Sequence, residues 1–161
     1  MTWWRRQRVA LVALIAAVAA LIGVSVWLDV LPAQEAAPPA PRVAQGAVDM
    51  GGNRLELVRA VPDEFPAPAG AHTLSIRLSA DSAKDAERCG TFTLREKDGE
   101  RVWLTAGSAV DVRYGDEESS CRKGTDSYRI LSVFLLPNDA EGPFWLDIAV
   151  GDETVRFPVG D

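Results

Sequence analysis

The chain has 161 residues, with 17 Lys and Arg against 23 Asp and Glu, one histidine and two cysteines. From Val43 onward it holds 13 cations and 21 carboxylates, a net of −8, which excludes the cationic surface that nucleic acid requires and disfavours a close lie on anionic lipid. With a single histidine, and no methionine after Met50, copper and haem handling lack their ligands and no cofactor is expected.

Residues 1–8 read as a cytoplasmic stub carrying Arg5, Arg6 and Arg8. Val9 to Leu28, VALVALIAAVAALIGVSVWL, has no charge. At ~1.5 Å per residue its twenty or so positions reach roughly 30 Å, the thickness of a bilayer's hydrocarbon core. Lipid cannot satisfy backbone N–H and C=O groups, so such a run must be a helix. The basic flank stays inside, so the sequence predicts a single-pass plasma-membrane protein, spanning the bilayer with residues 9–31 and exposing its C-terminal part outside the cytoplasm. Trp3, Trp4 and Trp27 sit where interfacial aromatics anchor a helix. A cleaved secretory signal is the rival; the run is longer than an ordinary signal core, and Leu31-Pro32-Ala33 makes a poor cleavage site. Ala16, Ala20 and Gly23 have small-xxx-small spacing, which the abundance of alanine explains.

Residues 32–47 read as a Pro/Ala-rich linker, with PAQEAAPPAP as its extended, semi-rigid part. Residues 48–161 are then the extracytoplasmic domain, enough for one core. Its texture is period two. Leu74, Ile76 and Leu78 share one face of a strand and Thr73, Ser75 and Arg77 the other. Phe144, Leu146, Ile148 and Val150 alternate with Trp145, Asp147 and Ala149, and Val155, Phe157 and Val159 repeat the pattern. Further strands are expected at 54–60, 90–95, 101–105 and 128–136. Asp98-Gly99 and Gly151-Asp152 mark hairpin turns, and Gly51-Gly52-Asn53 a turn into the strand at 54. Pro62–Gly70 and Gly115–Gly124 are long loops, and Asp81–Glu87 fits one helical turn. Seven or so short strands with wet outer faces predict an all-β, antiparallel β-sandwich after the N-terminal transmembrane helix.

Cys89 and Cys121 both fall on the exported side, where an even pair points to one disulfide. Free thiols and a redox or metal pair are the alternatives, though the close C-x-x-C spacing of the latter is missing. His72, the only histidine, has no nucleophile tied to it by a motif. Asp116-Glu117-Glu118, with Asp111 nearby, does not match an EF-hand loop and reads as a solvated acidic stretch. No catalytic, cofactor or metal residues are therefore assigned, and the domain is expected to be no enzyme. Trp145 alternates out of phase with Phe144 and Leu146, which makes it the candidate partner contact; Trp103 is the other tryptophan weighed for that role.

The domain opening, VDMGGNRLELVRA, and the stretch FLLPNDAEGPFWLDIAV, with Cys89 and Cys121 between them, resemble the membrane-anchored, immunoglobulin-like (telokin-like) extracytoplasmic proteins of high-GC bacteria. The resemblance implies an immunoglobulin-like sandwich and a role in envelope interactions, with no catalytic residues to carry over. Trp103 lies fourteen residues after Cys89, as in antibody-type domains, but Cys121 sits in a polar loop without the preceding tyrosine. The function expected is a non-catalytic binding module in the cell envelope with a protein partner. The alternatives are an envelope enzyme or its accessory subunit, with a site built from His72, Asp111 and Asp116, or a ligand-binding domain released by signal cleavage.

Overall fold

The computed structural model describes residues 2–29, 40–124 and 126–160, with side chains in the first of these at 4, 7–8 and 11–25. The chain divides into two units, one up to Pro38 and one from Pro39 onward. The first contains a single helix, α1, Thr2–Asp29. Among the described residues no helix is long and apolar enough to cross a membrane, so the membrane assignment of 9–31 rests on the sequence. The anchors Trp3 and Trp27, and residues 30–39 of the expected span and linker, lie outside the described side chains; Trp4 is exposed with the Arg8 guanidinium 4.6 Å from its ring centre.

The second unit holds ten strands in two five-stranded sheets. Sheet A runs β1 (Arg42–Val43), β10 (Glu153–Val159), β9 (Phe144–Val150), β5 (Phe92–Glu96) and β6 (Val102–Leu104). Sheet B runs β2 (Val48–Met50), β3 (Asn53–Pro62), β4 (Ala71–Ser82), β8 (Ser127–Pro137) and β7 (Glu117–Glu118). Both sheets contribute to one core: Leu55, Ile76, Leu78, Ile130 and Phe134 from sheet B face Leu94, Leu146, Ile148, Val155 and Phe157 from sheet A. At roughly 25 cal/mol per Å² of apolar surface, this burial is what stabilises the fold.

All seven strands expected from alternation are present, close to their expected limits. The sheets, however, are mixed rather than antiparallel: β1 pairs parallel with β10, and β7 parallel with β8. These two-residue strands carry no alternation to read. Because of β1, and of buried Ala44, whose N–H bonds the Arg156 carbonyl at 2.8 Å, the sandwich begins ahead of residue 48. Glu117–Glu118 likewise puts a short strand inside the expected loop 115–124. Asp81–Glu87 is not a helical turn. Asp81 and Ser82 finish β4, whose pairing with both β3 and β8 outweighs the local helical preference, and a turn closed by Ala86 N–H to Ala83 O follows.

The glycine turns are where the sequence placed them. Gly51 and Gly52 both have positive φ, 51° and 76°, joining Met50 to Asn53 as a two-residue hairpin of the I′ kind. A Cβ on Gly51 would also run into the side chain of Val150. Gly51→Ala is therefore expected to destabilise the domain by more than ~1 kcal/mol, measured as a lower urea midpoint with an unchanged slope.

Cys89 and Cys121 form a disulfide and are buried. It joins the crossover from β4 to β5 to the segment that leads from β7 into β8. In the chain-entropy account, closing about 33 residues stabilises the fold by roughly 3–4 kcal/mol. The double variant Cys89→Ser, Cys121→Ser is expected to lose about that much in urea titration of the full-length chain, followed by tryptophan fluorescence.

Candidate interaction face

The outward positions of β9 organise the exposed side of sheet A. With Phe144, Leu146, Ile148 and Val150 buried, Trp145, Asp147 and Ala149 must point away from the core. Strand register then lays side chains in rows across the sheet. One row runs Leu104, Thr93, Asp147, Arg156, Val43; its neighbour runs Val102, Arg95, Trp145, Pro158. The apolar side chains at the margins stand in solvent: Leu104 is 63% exposed, Val43 53% and Val102 42%.

Charge fills the middle of the first row. Arg156 grips Asp147 with both ends of its fork, Nε to Oδ1 at 2.6 Å and Nη2 to Oδ2 at 2.7 Å. That pair of bonds raises the Arg156 pKa, against the opposing effect of burial. Arg95 reaches the same carboxylate only at 3.8 Å, too far for a hydrogen bond. Trp145 is half-buried, with Lys97 Nζ 5.2 Å and Arg156 Cζ 5.8 Å from its ring centre, within cation–π reach. Trp103 has a different part. It meets Phe144 edge to face at 5.9 Å and packs against the core, so of the two tryptophans it is the structural one.

The outer side of sheet B is closed along β4, while β3 leaves Arg54, Glu56, Val58 and Arg59 exposed. Alternation predicts Thr73, Ser75 and Arg77 in water, yet all three are buried. The loop after β3 folds over them: the Thr73 hydroxyl donates to Phe65 O at 2.8 Å and accepts from Phe65 N–H at 3.2 Å. Arg77 donates to both Glu64 oxygens, at 2.6 and 2.7 Å, and through Nε to Glu117 at 2.9 Å. Glu64 comes from the loop and Glu117 from the edge strand β7, so one guanidinium ties the covering loop and the edge of the sheet to β4. No local pattern signals this, because the partners lie 13 and 40 residues away.

The remaining candidates do not converge. His72 is opposite Leu136 on β8, whereas Asp116 adjoins Glu117, opposite Arg129. Seven strand positions separate them, ~23 Å at ~3.3 Å each. Among the described residues no group of three or more His, Cys, Asp or Glu is placed to hold a metal ion. Comparison with protein-family models, with curated proteins and with solved structures finds no match.

The Arg77 bonds hold the Glu64 carboxyl below its ordinary pKa of 4.5, with burial opposing. A carboxyl lowered in the folded state stabilises above its unfolded pKa, and that contribution disappears as pH falls through the folded value. Glu64→Gln is accordingly expected to cost about 1 kcal/mol at pH 7, given partial solvent screening. The gap between the variant and the unaltered chain should begin to narrow below pH 4.5 and close only below the lowered folded value, as read from urea midpoints across pH 2.5–7.

Proposed function

We propose that this chain is a single-pass membrane protein whose β-sandwich serves as a non-catalytic binding module in the cell envelope. The observation that carries the reading is the asymmetry of the two sheets. Sheet B has the middle of its outer face, along β4, covered by the chain's own loop through Arg77 and Glu64, while sheet A leaves Trp145 among cations and exposed apolar margins. Amphipathic aromatic surface on rigid strands is the kind of patch that partners bind.

The anchor is supported by α1. Leu11, Val12, Val24 and Leu21 point to four different sides of the helix at about 100° per residue, and each is at least 55% exposed. A helix apolar all round needs apolar surroundings, which a bilayer supplies. An immunoglobulin-like topology is supported by strand order: β3-β4-β8-β7 and β5-β9-β10 parallel the A-B-E-D and C-F-G sheets of that fold. Three features depart from it. β7 runs parallel to β8, Trp103 lies on β6 rather than on β5, and the disulfide does not join the second strand to the sixth.

The test is the apparent mass and protease accessibility of a C-terminally tagged copy in intact cells. Full-length, membrane-bound protein trimmed by external protease is expected. A shortened, soluble product would replace the anchor with a cleaved signal and the module with a secreted ligand-binding domain.

A further inference from the structure

Resting on the binding-module reading, we propose that Arg95 is the docking point on sheet A for a carboxylate of an acidic protein partner. Asp147, the nearest anion, is already engaged at both oxygens by Arg156 at 2.6 and 2.7 Å, and stands 3.8 Å from Arg95. Arg95 Nε is buried and, among the described residues, has no hydrogen-bond partner. Nε itself is closed to solvent, but the side chain is 39% exposed, and the Nη atoms are not among the buried unsatisfied groups, so an incoming carboxylate meets the guanidinium on its Nη side. Buried donors are ordinarily satisfied, and an Arg fork without an acceptor matches a carboxylate in shape and charge.

The surroundings favour a protein as the source. Val102 lies opposite Arg95 on one side and Trp145 on the other, apolar and aromatic flanks that would exclude water from the ion pair as it forms. Five strands ~4.8 Å apart make a face roughly 20 Å across, and seven residues of β9 extend ~23 Å. That is broad enough for a share of the ~800 Å² that each partner contributes to a standard interface. Formal charge in the two outward rows is Arg95 and Arg156 against Asp147, opposite in sign to a domain of net −8. The same charge disfavours face-to-face pairing of two copies and favours an acidic partner.

The experiment places a photo-crosslinking residue at Val102 in the full-length protein in cells, with a control at exposed Arg59 on β3. Retention of the Cys89–Cys121 disulfide on non-reducing gels checks the fold of each variant. The expected result is a protein adduct from Val102 and none from Arg59. Its yield should fall about tenfold or more in Arg95→Glu, and return when an Asp or Glu in the crosslinked peptide of the partner is changed to Lys. An adduct indifferent to Arg95→Glu would overturn the carboxylate docking while leaving the binding module standing. Crosslinking of Val102 to polysaccharide or lipid would overturn the protein partner, and an adduct from Arg59 alone would overturn this face. No adduct from either position would overturn the binding module as well.

Discussion

Arg77 decides which side of the sandwich meets the outside. Its guanidinium lies on the outer face of β4 with little access to water, a placement that is costly unless the charge is paired and hydrogen-bonded. Glu64 and Glu117 supply three bonds from two elements far apart in sequence. Removing either carboxylate would leave part of that compensation missing, so the loop after β3 stays closed over β4 and the edge strand β7 stays tied to the same guanidinium. Sheet A has no comparable cover, and the apolar, aromatic and cationic side chains of its outer rows are left accessible.

A second buried polar group fixes one end of the sandwich. Ser82 Oγ donates to Asn53 Oδ1 at 2.6 Å and lies 2.8 Å from the Tyr128 hydroxyl, which in turn accepts from Arg122 N–H at 3.0 Å. Asn53 also donates to Glu87 O at 2.8 Å. The turn between β2 and β3, the end of β4 and the segments bearing both cysteines are thus joined by hydrogen bonds as well as by the disulfide. Satisfied networks of this kind specify a single arrangement more than they add to stability. The rows on sheet A lie away from this network and are held by strand pairing and the Arg156–Asp147 pair, a rigid surface on which Arg95 and Trp145 keep fixed spacing.

A rigid open face suits the function proposed for the chain. Its strands are ordered without a partner, so little conformational entropy remains to be lost there on binding. The tryptophan and the arginine neighbouring it are residue types that dominate binding energy when desolvated.

Much of the fold was legible in the sequence because burial on one side of a strand imposes period two. Leu74, Ile76 and Leu78, the run from Phe144 to Val150, and Val155, Phe157 and Val159 all announce themselves this way, as do the turns at Gly51-Gly52 and Gly151-Asp152. Trp145 could be assigned to the outward side by the same phase, and an even pair of cysteines pointed to the disulfide that Cys89 and Cys121 form. The two-residue strands β1 and β7 were invisible, since so short a segment contains no period. The burial of Arg77, the saturation of Asp147 by Arg156 and the unmet donor of Arg95 were invisible too. Alternation says which way a side chain points, but only tertiary structure decides whether water or another part of the chain waits there.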